Sequence, residues 1–470
     1  MTEQWNGIRI AVCFYRVPSP TAMLGIDLRP ATLAVGGKRI HYAWVIVIVA
    51  AIMRLSTSAF RSSASILIPR IVETFGWSYG AVGIGFSIQW VVSGLFGPPS
   101  GWMGDRFGVR FTMLLGGALF IAGMVLTGFM QHLWQFYLFF GVVLSLSMAI
   151  FQVPLTVAVT NWFRKHLGVG MGLLQSSQGM GPLVAVPVMF LILTNFGLKA
   201  AFIIPGIGGG LILLLLVPLF YNQPGDVNLR PLGADDDEPI QKSQRGEAAQ
   251  IRTKTFLRAA QRTHAFWNLI GIHYWGCAGH AIIVVYLVAM AEEKGVSSVM
   301  AAGAFVTLQL ASTLTRFAVP VLADRIGSKG VMAACFFLQV VPVFILFFAQ
   351  DAWMFYLFAV LFGIGFGGEM TAFPIINRQY YGRAPVGTTY GWQMMGAGLG
   401  MASGALLGGL LRDLTGDFNY TMALSLVLSL AGVASIMFLP GTHREQIPDW
   451  EDALPPEFRT APAKSPATGD

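Results

Sequence analysis

A chain of 470 residues with 55% hydrophobic and only 11% charged residues, and a mean hydropathy of +0.63, is too apolar for a soluble protein of two or three domains. Its net charge of +7 is not a nucleic-acid footprint, because the basic residues sit in short loops between apolar segments, where they set membrane topology. Cys13, Cys277 and Cys335 show no paired spacing, and the last two lie inside apolar segments, so neither a disulfide framework nor a metal site is indicated.

In chain order, residues 1–41 hold Arg9, Arg16 and Arg29 but no clean apolar core with a small-residue cleavage site, so a cleaved signal peptide is not expected. A mobile tail and a true start at Met23 account for this stretch equally. Beyond it, apolar stretches of about 20 residues recur, the length that crosses a hydrocarbon core of about 30 Å. They fall near 43–67, 81–99, 112–130, 135–159, 168–194 and 200–220, then near 265–290, 298–320, 331–349, 353–377, 388–411 and 420–439. All are expected to be helices, because lipid leaves backbone groups no other partner. The prediction is an all-α membrane protein of twelve transmembrane helices, with one six-helix bundle over 42–221 and a second over 265–440.

The interval 222–264 carries Asp235, Asp236, Asp237 and Glu238, then Lys242, Arg245, Arg252, Lys254, Arg258 and Arg262. It reads as a solvated linker, disordered at its acidic start and helical near its basic end. The tail over 441–470 is proline-rich and polar and shows no chemistry. Lys38 and Arg39, Arg106 and Arg110, Arg164 and Lys165, the basic half of the linker, Arg325 and Lys329, Arg378 and Arg383, and Arg444 all fall on one side. That side is expected to be cytoplasmic, with both termini inside a plasma (cell inner) membrane.

One short basic turn occurs twice. Gly101, Trp102, Met103, Gly104, Asp105, Arg106, Phe107, Gly108, Val109 and Arg110 form the first copy, and Pro320 to Lys329, with Ala323, Asp324, Arg325 and Gly327, the second. Asp324 lies 219 positions after Asp105, and Gly179 and Gly181 map onto Gly398 and Gly400 at the same offset. Asn161-Trp162-Phe163 maps onto Gln379-Tyr380-Tyr381 at 218, so the chain reads as two related halves. Glycines let two helices close over a very short loop, and the acid-arginine pair offers charges that bind a helix end or one another. The alternative for Arg106 and Arg110 is a plain positive-inside anchor.

This pattern resembles the signature loop between the second and third helices of the major facilitator superfamily. Gly101, Asp105, Arg106, Gly108 and Arg110 match it in the first copy, with Met103 and Gly104 in place of leucine and alanine. Leu322, Ala323, Asp324, Arg325, Gly327 and Lys329 match it in the second, with Pro320 in place of the first glycine. The resemblance implies two bundles that rock about a central site, with this loop latching the cytoplasmic side when the outside is open.

An ionisable residue near mid-bilayer costs at least roughly 2.5 to 3.5 kcal/mol, so each asks for a partner. Arg54, Arg61, His280, Arg316 and Glu369 qualify. Arg54 and Arg61 are two helical turns apart and project from nearly one face, flanked by Thr57, Ser58 and Ser65, which is expected to line a water-filled cavity. The alternatives are snorkelling for Arg61 and a contact to a helix end or to Glu369 for Arg54. The glycine runs at Gly179 to Pro182 and Gly396 to Gly400 lack the lysine-serine or lysine-threonine pair of a phosphate loop and read as packing surfaces. No nucleotide-binding motif appears, and no cofactor is expected.

Arg316, four residues ahead of Pro320, is similar in placement to the arginine of the monocarboxylate transporter family and the related oxalate/formate exchangers, where it anchors the substrate carboxylate. A guanidinium suits that role, being permanently charged and planar. Trp44, Arg61 and the stretch Trp162, Phe163, Arg164 and Lys165 add partial likeness. The family's animal members couple protons through an aspartate one turn before this arginine, where this chain has Ser312. Proton coupling then falls to Glu369, whose alternative is a permanent salt bridge to Arg54 or Arg316, or to His280, whose alternative is a hydrogen bond to substrate or a neighbouring helix. His280 corresponds to Thr57 if Trp44 is matched to Trp267.

The resulting expectation is a secondary transporter of small organic anions, foremost monocarboxylates, working by alternating access, proton-coupled and functional as a monomer. In it Arg316 holds the carboxylate, Arg61 and Arg54, with His280, attract or complete the anion site, and Glu369 or His280 couples the proton. A carboxylate exchanger without net proton movement is the alternative within transport, and a transport-fold receptor the alternative outside it. No nucleophile-base or metal-ligand constellation recurs in the spans, so an enzyme is not expected.

Overall fold

The computed structural model describes residues 33–35, 38–62, 64–235, 238–241, 246–442 and 444–459, with side chains outside 33–40, 59–66, 69, 79 and 182–186. A hairpin pairs β1 (Leu33–Val35) antiparallel with β2 (Lys38–Ile40), Leu33 opposite Ile40, in a unit that ends at Tyr42. The reading of the preceding stretch as a tail lies outside the described residues. Ala43–Asp470 forms the other unit.

The apolar stretches become helices, several of them broken where the sequence looked continuous. The first stretch is described as α1 (Tyr42–Ser62) and α2 (Ala64–Phe75), with residue 63 between them outside the described residues. The second gives α3 (Tyr79–Leu95) and α4 (Gly97–Phe107), bent by 44° at Phe96. Pro98 and Pro99 explain the break, since proline lacks the N–H that a helix interior needs and is tolerated in a first turn. The helix runs past the expected limit near residue 99, so the first basic turn is largely helical. Only Gly108, at φ 84°, separates it from α5 (Val109–Gly128). The fourth stretch holds α6 (Leu133–Phe136), a π-helical segment over Tyr137–Val143 and α7 (Leu144–Asn161). The fifth and sixth meet in α8 (Leu167–Leu216), whose one non-helical residue is Gly197 at φ 79°.

Beyond the linker helix α9 (Gly246–Gln261) come α10 (His264–Glu293), α11 (Ser298–Ile326), α12 (Ser328–Phe348), α13 (Ala352–Glu369), α14 (Phe373–Tyr381), α15 (Gly387–Thr415) and α16 (Phe418–Met437). Among the described residues, nine helices are long and apolar enough to cross a membrane, or ten if the bent pair α3 and α4 is one span.

The 219-residue repeat reappears as repeated contacts. Arg110, opening α5, donates to the carbonyls of Phe220 and, at 2.6 Å, Pro218; Lys329, opening α12, donates to those of Leu439 at 2.6 Å and Met437 at 3.1 Å. Trp162 Nε1 donates to Tyr221 O at 3.0 Å, and the Tyr380 hydroxyl to Pro440 O at 2.6 Å. Each half thus ties the start of its third stretch and the end of its fourth to the chain leaving its last, capping carbonyls that a helix C-terminus leaves open.

Small residues decide where the halves touch. A Cβ at Gly101 would collide with Gly387 O, one at Gly97 would meet Gly391 O, and one at Gly94 would press on Gly398, so α3 and α4 approach α15 closely. In the same way Gly168 and Gly172 let α8 approach α11 at Pro320 and Phe317. Lipid tails offer no hydrophobic drive between helices, so such close packing carries the association. Gly396 and Gly400 pack α15 on α10, as expected for packing surfaces.

The stretch ahead of the linker's acidic run is tied to the first half: Arg164 N and Lys165 N donate to Leu232 O at 2.9 and 3.1 Å, and Leu232 N donates to Trp162 O at 2.9 Å. Within the acidic run, expected to be disordered, residues 236–237 lie outside the described residues. The tail packs on the linker helix, where Arg252 of α9 donates to Phe458 O at 2.7 Å, pairs with Glu451 at 2.5 Å and stacks on Trp450.

Candidate functional site

Arg54 comes from α1 and is 2% exposed. Its Nη1 donates to Gln152 Oε1 at 2.7 Å and Gln178 Oε1 at 3.1 Å; its Nη2 donates to Gln152 O and Thr156 Oγ1, each at 2.8 Å. A buried charge must be hydrogen-bonded, and here neutral oxygens of α7 and α8 do it. Among the described residues the alternative contact to Glu369 is not made. Thr57 and Ser58 turn their hydroxyls back on carbonyls of their own helix, at 3.1 and 3.2 Å, and the Arg61 side chain lies outside the described residues.

Arg316 of α11 is 7% exposed although Leu314, two positions earlier, is 75% exposed, so the helix turns one face to lipid and this arginine inward. Its Nε approaches Ser312 Oγ at 3.3 Å and its guanidinium lies 5.2 Å from the Phe366 ring centre. Among the described residues it forms no ion pair and no other hydrogen bond.

Glu369 ends α13, fully buried. Its Oε2 faces His280 Nδ1 at 2.7 Å and accepts from Gln339 Nε2 at 2.7 Å; Oε1 has no partner among the described residues. The permanent salt bridge to Arg54 or Arg316 is therefore replaced by a histidine pair. Nε2 of His280 lies 3.0 Å from Met401 Sδ, and its ring packs edge-on to Phe366 at 4.7 Å. Phe366 thus touches both Arg316 and His280. Cys277, one turn before His280, brings its sulfur within 4.8 Å of the His280 and Glu369 ligand atoms, a proximity the cysteine spacing did not signal.

Sequence reasoning missed His273. It is fully buried on α10, two turns before His280, stacked on Phe373 at 3.8 Å, and neither ring nitrogen has a partner among the described residues. The repeat held the clue, for His273 lies 219 positions after Arg54, and His280 the same distance after Arg61 rather than opposite Thr57.

The two turns use their acids alike. Asp105 Oδ2 accepts from Thr388 N at 3.0 Å and Thr388 Oγ1 at 3.1 Å, at the start of α15; Asp324 Oδ2 accepts from Gly168 N at 2.9 Å, at the start of α8. Each carboxylate thus caps a helix N-terminus of the opposite half, where the helix dipole favours negative charge. Of the two options left open, helix end or arginine, the acids take the helix end. Arg106 lies over the rings of Trp102 and Phe107, at 5.0 and 5.2 Å, and Arg325 is exposed.

The sequence profile described as the Major Facilitator Superfamily matches residues 48–328 and 277–466. The chain belongs to the major facilitator superfamily. Within it, the chain is 24% identical over 372 residues to the oxalate:formate antiporter of Oxalobacter formigenes, covering 76% of this chain and 84% of that one. It is 26% identical over 434 residues to monocarboxylate transporter 11 of Homo sapiens, covering 90% and 87%. A solved structure of the superfamily proton:xylose symporter XylE superposes with a TM-score of 0.71 at 13% identity, over 87% of this chain and 98% of that one, and establishes the shared fold. Superfamily membership makes this a multi-pass membrane transporter and not an enzyme.

Proposed function

We propose that the chain carries small organic anions, foremost monocarboxylates, across the plasma (cell inner) membrane by alternating access with proton coupling. Twelve spans would form two six-helix bundles, over 42–221 and 265–440, with both termini cytoplasmic: α1 with α2 and α3 with α4 each make one span, and α8 makes two about Gly197. The observation that carries the reading is Arg316, a nine-tenths buried guanidinium whose donors are nearly unmatched by the protein. A buried charge without a counterion is costly, and a substrate carboxylate removes that cost. Arg54, by contrast, has four acceptors, so one anionic head per substrate fits better than two. Arg61 and His280 complete the proposed substrate site. Glu369, hydrogen-bonded to His280 beside Arg316, supplies the pair between which a proton is held or released.

The resemblance of this chain to carboxylate carriers supports the substrate class. Gly101, Asp105, Arg106, Gly108, Arg110, Asp324, Arg325 and Gly327 serve as the latch, with the acids gripping the opposite half. The bilayer, the anion and protons are the only partners assigned, and a monomer suffices. Uptake of labelled carboxylates, amino acids and sugars into proteoliposomes, with and without a pH gradient, tests this. Uptake of neutral sugars alone would overturn the anion reading. Ser312 supports a second reading, carboxylate exchange without net proton movement, and gradient-independent counterflow would select it.

A further inference from the structure

Glu238 lies on the turn-bearing face, in the linker. Its Oε1 stands 3.0 Å from Arg164 Nη2 and 2.6 Å from Arg383 Nη2, while Arg230 Nε donates to its backbone carbonyl at 2.7 Å. Arg383 lies 219 positions after Arg164, so one carboxylate bridges equivalent arginines of the two halves. Leu232 is hydrogen-bonded to Trp162, Arg164 and Lys165, which fixes this part of the linker to the first half. The Glu238 side chain reaches across to Arg383 of the second.

We propose that Glu238 is a positioning residue of the transport cycle, an ionic strap that holds the two halves together on the turn-bearing face and must release Arg383 for that face to open. Two like charges converge on this one carboxylate. Burial and the neighbouring Arg164 charge lower the Arg383 pKa, against the opposing pull of Glu238 and Glu445. Removing the carboxylate thus loses the hydrogen-bonded ion pair to Arg164 and the ion pair to Arg383, and leaves arginine facing arginine. The strap also makes the linker part of the gate rather than a tether. The inference rests on the alternating-access part of the proposed function and not on its substrate, so it stands or fails independently of the carboxylate reading.

The test uses the full chain with a cysteine introduced at Val157, which lines the cavity beneath the turn together with Gly104, Asp105 and Arg383. A membrane-impermeant maleimide is applied from the turn-bearing face without substrate. Glu238→Gln is expected to raise the labelling rate ~5-fold, the shift that corresponds to about 1 kcal/mol of lost closure. Glu238→Asp, which keeps the charge on a shorter arm, should fall between. Arg383→Gln added to Glu238→Gln should raise the rate no further, because both break one bridge. An unchanged rate in Glu238→Gln, or fully additive increases in the double variant, would overturn the strap. If Glu238→Gln does not fold, Glu238→Asp decides alone: a raised rate supports the strap and an unchanged rate overturns it.

Discussion

Arg54 and Arg316 sit one in each half and both are buried, yet their surroundings differ. Two glutamines and a threonine close on Arg54 with side-chain and backbone oxygens, whereas Arg316 meets one serine hydroxyl and the face of a phenylalanine. Burial is common to both residues; the partners separate them. A charge solvated by neutral oxygens from neighbouring helices is a structural hub that holds a bundle together. One that meets a single serine hydroxyl fits the proposed role of receiving a counterion that arrives with the substrate.

The most direct way to break this contrast is to delete the hub. Arg54→Leu orphans acceptors on α7 and α8 and is expected to cost about 3 kcal/mol or more of stability, from charge-assisted bonds near 1.5 kcal/mol or above. Thermal unfolding in detergent measures it, and a stability change no larger than that of Arg316→Gln would erase the distinction. Arg316→Gln should instead leave the folded protein intact while weakening carboxylate binding ~100-fold, the loss of about 3 kcal/mol expected of a charged fork. Unchanged affinity would return Arg316 to a structural role.

Glu369→Gln sharpens the picture on the coupling side. It keeps the hydrogen bonds to Gln339 and His280 but not the titration, so counterflow should survive while proton-driven accumulation fails; intact accumulation would point to His280 or to exchange alone. The smallest expected effect compares the two turns. Asp105→Ala removes two bonds to Thr388 and Asp324→Ala one to Gly168, so latch loss should be about 1 kcal/mol for the first and less for the second. Labelling of Val157→Cys reads both, and a larger effect from Asp324→Ala would reverse the ranking.

Much of this was legible in the chain. The repeated acid-arginine turn located both halves, and a fixed step from its second copy led to Arg316. What escaped sequence reading depended on distant partners or local backbone chemistry. The bend at Phe96 escaped because Gly97, Pro98 and Pro99 sit within a run that passes for one apolar span. Arg54 could not be told from a ligand site because Gln152, Thr156 and Gln178 lie about a hundred positions away. His273 escaped because its burial and its stacking on Phe373 come from a helix about a hundred positions away. Glu238 looked like the end of a solvated acidic run, although one partner lies 74 positions earlier.

The paired caps at Arg110 and Lys329 imply something about how the chain can be divided. Each half carries its own fastener, made at matching carbonyls and owing nothing to the other half. The peptide bonds joining the halves are then dispensable to their internal architecture, and a protein cut between Gln241 and Gly246 should reassemble from two separately translated pieces. The strap at Glu238 would travel with the first piece, so reunion itself would restore the gate.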